Sequence, residues 1–156
     1  MVSFEIHTNM AWAGFGLVPT DTATRMTQLK GQYCITSSQV VSLKGFSAAG
    51  NGSPTQGIEY TQVTTLEESF SDGWSRCIFQ RPWSDAQLYD LDRSDLYSVL
   101  AGGDDIDVSG SAPEMKYHGA NKLWYSNVNY MLYPVGKWGV EKSFNHSVGV
   151  IVIVTV

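Results

Sequence analysis

The strongest constraint on this chain is an alternation of apolar and polar residues with period two, broken at short intervals by turn chemistry. Val2-Ser3-Phe4-Glu5-Ile6-His7 alternates in this way, and so does Ile58-Glu59-Tyr60-Thr61-Gln62-Val63. Successive side chains of a strand point to opposite faces, so both runs read as strands with one wet face. Further strands are predicted over 11–18, 33–43, 74–81, 96–101, 123–133 and 148–156. The spacers between them are rich in turn formers: Pro19-Thr20-Asp21, Gly50 to Pro54, Ser71-Asp72-Gly73, Gly102-Gly103-Asp104-Asp105, and Gly110 to Pro113. No convincing 3.6-residue stripe competes with this pattern. The stretch 84–100 invites a helix, with Leu88, Leu91, Leu96, Val99 and Leu100 partly in phase, but is read as turn and strand. The expected fold is all-β, a two-sheet antiparallel immunoglobulin-like β-sandwich. With no repeat, linker or low-complexity block, residues 1–156 form one domain.

The last nine residues, Val148 to Val156, are almost wholly apolar on both faces, as suits a strand covered on both sides. A central strand of this domain is the plainer reading. The sharper one is a terminal strand that pairs with other subunits of an assembly. The segment is far short of a membrane helix, and no other stretch reads as a membrane span. The net charge of −5 and the lack of a Lys/Arg stripe argue against nucleic acid as a partner.

Cys34 and Cys77 are the only cysteines, too few for a structural zinc site and too widely spaced for CxxC redox chemistry. A disulfide between them is expected, and implies an oxidising, extracellular or secreted location; two buried free thiols are the alternative. Sequons at Asn51-Gly52-Ser53 and Asn145-His146-Ser147 lean the same way, although Pro54 weakens the first. Met1 stands directly before a strand pattern without a charged-then-apolar leader, so any signal peptide is expected to have been removed.

The motifs of common catalysts are missing: no GxSxG, HExxH, phosphate loop or dinucleotide fingerprint occurs, and no nucleophile stands beside a base. An electron-transfer or binding domain is therefore expected rather than a self-contained catalyst. Asp104-Asp105-x-Asp107 and Asp90-x-Asp92-x-x-Asp95 lack the spacing of a calcium loop and read as solvated turn acids.

What remains is an ordered set of local patterns. Trp12-Ala13-Gly14-Phe15-Gly16-Leu17 is an aromatic and glycine strand; a turn and Met26 follow, then Tyr33-Cys34-Ile35. Cys77-x-Phe79-x-Arg81 puts three residues on one strand face, Leu96 to Gly103 runs from apolar residues to Ala-Gly-Gly, and Lys116-Tyr117-His118-Gly119 closes the series. Over about residues 4 to 120 this succession resembles the DOMON family, and most resembles the modules fused to ferric-reductase-type membrane cytochromes. In the haem-carrying branch, which includes the cytochrome domain of cellobiose dehydrogenase, a b-type haem is held by an axial Met and an axial His. The resemblance implies that Met26 and His118 are the iron ligands and that haem b is the non-covalent cofactor, since no CxxCH is present. It further implies an extracellular single-electron carrier whose partner is a redox protein or membrane cytochrome.

Alternatives to this ligand pair stay open. Many family members place the Met immediately before the small residue that is Gly31 here, and that alignment puts Leu29 at the ligand position. Rival ligands are Met10, Met115, Met131, His7 and His146; Met115 lies only three residues from His118, which makes it hard for both to reach opposite faces of one porphyrin. Trp12, Phe15, Tyr117, Trp124 and Tyr125 are candidate cleft walls or core aromatics. Some DOMON domains carry no haem, and in a haem-free carbohydrate-binding module Trp74, Trp83, Trp124 and Trp138 would be the stacking faces.

Overall fold

The computed structural model describes residues 1–20, 26–50, 52–93, 95–118, 124–127, 137–144 and 148–155, the last three stretches as backbone. Asn51, Asn145, Met131 and His146 lie outside the described residues, as do the side chains of Trp124, Tyr125 and Trp138.

The strands are β1 (Val2–Thr8), β2 (Trp12–Pro19), β3 (Thr27–Ser37), β4 (Val40–Ala49), β5 (Thr55–Ile58), β6 (Thr64–Ser71), β7 (Trp74–Arg81), β8 (Leu96–Gly103), β9 (Ile106–Asp107), β10 (Glu114–Met115), β11 (Trp124–Asn127), β12 (Lys137–Phe144) and β13 (Val148–Thr155). They form a five-stranded sheet, β12-β13-β1-β7-β6, a six-stranded sheet, β11-β8-β2-β3-β4-β5, and a ribbon of β9 and β10. Every recorded pairing is antiparallel. The protein is thus an all-β sandwich, as the alternation implied, and no helix among the described residues is long and apolar enough to cross a membrane.

β1 buries Val2, Phe4, Ile6 and Thr8 and leaves Ser3, Glu5 and His7 half-buried on the other face. Phe4 stacks on Phe79 of β7, with ring centroids 5.1 Å apart, and tilts against Phe15 of β2 at 5.6 Å. Across the same inter-sheet layer Cys34 of β3 is bonded to Cys77 of β7, with Cα atoms 6.0 Å apart. The expected disulfide is therefore present, joining the sheets through the core. Cys77, Phe79 and Arg81 do share the buried face of β7.

Three expectations are adjusted. Residues 33–43 are not one strand: Ser38 and Gln39, at φ 49° and 64°, turn the chain between β3 and β4. Residues 58–63 are not a strand either; β5 ends at Ile58, Val63 N–H donates to the Tyr60 carbonyl at 3.1 Å, and β6 starts at Thr64. Finally, of the two readings of the tail the plainer one holds: β13 is a central strand, paired to β1 on one edge and to β12 on the other within the same chain. Both its hydrogen-bonding edges are filled, so strand addition to another subunit through 148–156 has no ladder to join.

The six-stranded sheet is apolar on both faces, and this positions the site. Ala13, Phe15, Leu17, Cys34, Leu96 and Leu100 face the inter-sheet core. The alternate residues Trp12, Val18, Leu29, Tyr33, Ile35, Phe46, Val99 and Ala101 build a second cluster on the outer face. This is why β2 is buried at all eight positions rather than every other one.

Candidate functional site

A cavity of about 1070 Å³ lies on that outer face, around the upper end of the roughly 300–1,000 Å³ of small-molecule sites. Its floor is the second apolar cluster: Trp12, Leu29, Phe46, Val99 and Ala101, with Gly14 between them. The glycines of β2 and β3 give the floor its shape. A Cβ on Gly16 would come within 2.8 Å of Leu29 Cδ1 and 3.0 Å of Phe46 Cζ. One on Gly31 would lie 2.1 Å from the Phe15 carbonyl oxygen, so Gly31 lets β2 and β3 close. Phe46 is steadied from behind, because the Tyr60 hydroxyl donates to its carbonyl at 2.8 Å and the Tyr60 ring fills the space beside Gly45. Burial pushes the Tyr60 phenol up to about 12, with the charges of Tyr89 and Asp85 adding to the effect.

The walls come from two further segments. Met26 stands just before β3 and packs, half-buried, on the outer cluster. The ribbon of β9 and β10 crosses on another side, with Ile106 opposite Met115 and Asp107 opposite Glu114. Ile106 and Met115 pack on the same apolar cluster, so the ribbon's apolar pair joins the floor. Lys116, Tyr117 and His118 continue the wall, with the Tyr117 and His118 rings 4.4 Å apart and Tyr117 75% exposed. Asp105, Asp107, Glu114 and Lys116 make the lining polar on this side. Hydrogen bonds from the Ser109 hydroxyl and amide hold the Asp107 carboxyl below the usual carboxylate range.

The structure therefore brings Met26 and His118 to one cavity, and with them the rivals Met115 and Leu29. Leu29, 2% exposed, has no donor atom and serves as floor. Met10 is buried in the inter-sheet core, away from the cavity. His7 is on the outside of the five-stranded sheet, its Nε2 3.0 Å from Glu5 Oε2. Phe15, named as a cleft wall or a core aromatic, belongs to the inter-sheet core, whereas Trp12 and Tyr117 line the cavity. Two thioethers and an imidazole beside an aromatic and aliphatic floor are a donor set that fits a haem iron. The Trp12 indole Nε1 is buried and finds no hydrogen-bond partner among the described residues. Sequence reasoning missed Gln56, whose amide grips Met115, because β5 carries no motif.

A second, much smaller space of about 20 Å³ lies between the sheets against Phe4, Phe15, Phe79 and Arg81. It has room for little more than one water. Arg81, 3% exposed, donates there to the carbonyls of Pro82, at 3.3 Å, and Tyr89. No family model, curated protein or solved structure matches the chain.

Proposed function

We propose that this protein is a b-type cytochrome domain that carries single electrons outside the cell, and that Met26 and His118 would hold the iron of a non-covalent haem. The observation that carries the reading is that two residues 118 − 26 = 92 positions apart line one large cavity with an apolar floor. They are the same two that the motif order singles out. A bound haem b supplies a one-electron ferric/ferrous couple, and Met/His ligation raises its potential.

The chain's own residues would do the rest. The thioether of Met26 and the imidazole of His118 offer lone pairs to a metal, and the floor from Trp12 to Ala101 keeps water from one side. The apolar floor favours the less charged oxidation state, as the thioether does, whereas the carboxylates of Asp105, Asp107 and Glu114 on the wall work the other way. The Cys34–Cys77 bond supports an oxidising compartment, in keeping with an extracellular site of action and a redox protein or membrane cytochrome as partner. For the haem-free carbohydrate-binding reading the support among the described side chains is one indole: Trp74 is 37% exposed, whereas Trp83 packs on the core.

Variants loaded with haem test the assignment. Met26→Ala should open a coordination position and lower the potential, His118→Ala should cost most of the haem, and Met115→Ala should leave the spectrum nearly intact. A six-coordinate spectrum that survives Met26→Ala but is lost with Met115→Ala would transfer the ligand role to Met115.

A further inference from the structure

We propose that Gln56 is a positioning residue that latches the Met115–His118 segment to the cavity wall and so sets where His118 stands; the ligand consequence rests on the haem reading above. Beyond the packing of Ile106 and Met115 on the outer cluster, the segment's backbone has little support of its own. β10 is only Glu114–Met115 and pairs with the equally short β9. A ladder this brief does not hold its place in water unaided.

Gln56 supplies the missing restraint. Its Oε1 accepts from Met115 N–H at 2.7 Å, and its Nε2 donates to the Met115 carbonyl at 3.0 Å. One side chain thus satisfies both backbone groups of Met115, as a neighbouring strand would. Gln56 sits in β5 opposite Phe46 of β4, a cavity residue. The latch therefore ties the ribbon to the six-stranded sheet at the cavity itself. From Met115 the chain makes one further backbone bond, Lys116 N–H to the Asp105 carbonyl at 3.1 Å, before it reaches His118.

The chemistry is specific to a primary amide, which offers a donor and an acceptor side by side. Glu keeps the acceptor and loses the donor, whereas Leu keeps much of the shape and loses both. Partners that orient a metal ligand from outside the first coordination sphere are typically worth 10–100-fold in metal affinity. Because Gln56 acts through Met115 rather than on His118 itself, Gln56→Leu should fall at the low end of that range and release haem up to about tenfold faster, with Gln56→Glu in between.

The test has two arms. Haem dissociation is read as transfer to excess apomyoglobin, alongside the spin state in the visible spectrum. Amide hydrogen exchange at Met115 is read in the haem-free protein and should be about tenfold faster in Gln56→Leu, while the amides of β2 and β3 keep their protection as evidence that the fold is intact. Unchanged Met115 exchange overturns the proposal whether or not haem binds. Faster exchange with an unchanged haem dissociation rate overturns the positioning of His118. A wild type that takes up no haem overturns the haem reading instead, and the exchange arm then decides the latch.

Discussion

Breaking the Cys34–Cys77 bond should remove a large share of the stability of this fold. The bond closes a loop of 43 residues and joins β3 to β7 through the inter-sheet core, where both cysteines are 0% exposed. In the chain-entropy model the unfolded state is denied 2.1 + 1.5R ln 43 cal/mol/K, about 13 cal/mol/K or roughly 4 kcal/mol at room temperature. With a urea m-value of about 2 kcal/mol/M this is a midpoint shift of roughly 2 M. Urea titration followed by tryptophan fluorescence would compare the oxidised protein, the same protein refolded in reductant, and the Cys34→Ala/Cys77→Ala pair. The reduced protein should lose about 4 kcal/mol, and the alanine pair slightly more because packing at two buried positions is lost as well. A midpoint shift under about 0.5 M would refute the reasoning, because the bond would then add almost nothing to what the two sheets already provide.

Tyr60 is expected to make the fold sensitive to strong alkali. Its phenol ionises near 10 when unfolded and at about 12 in the fold, so its contribution is complete below pH 10 and is lost as pH rises from 10 to 12. The loss should reach on the order of 2 kcal/mol in pH-dependent urea midpoints, and a Tyr60→Phe protein showing the same decline would count against this source. Ala101→Phe should fill the cavity floor, cutting haem uptake by at least about tenfold while costing no more than about 1–3 kcal/mol of stability in urea titration. Undiminished haem uptake in that variant would mean the cofactor binds elsewhere.

Much of the architecture was legible because its signals are local. The Asp72-Gly73 turn carries the dipeptide that a positive-φ hairpin demands, and both residues adopt it, at φ 52° and 80°. Ser38 and Gln39 make the same kind of excursion without a glycine, so the hairpin they close reads as one long strand. β6, Thr-Thr-Leu-Glu-Glu-Ser-Phe-Ser, hides for a different reason: it is an edge strand, mostly exposed, and has no apolar face to alternate. Tyr60 supplied a false period, because its ring is buried by folding back on Gly45 rather than by lying in a ladder with Ile58.

Met26 and His118 were singled out as candidates only through the order of motifs. That β2 is apolar on both faces could be read from Trp12 to Leu17, but that the second face floors a cavity depends on β3, β4 and β8 aligning Leu29, Phe46 and Val99 beside it. The convergence of Met26, Met115 and His118 on that floor is a tertiary fact. So is the Gln56 latch, which spans 59 residues and leaves no trace in the local pattern.

The most direct test of the haem assignment is the visible absorption spectrum of the purified, disulfide-bonded protein titrated with haem. Saturation at one haem per chain, a sharp Soret band, and a reduced low-spin spectrum that Met26→Ala converts to five-coordinate are the expected result. A protein that shows no saturable Soret band, oxidised or reduced, would contradict the assignment.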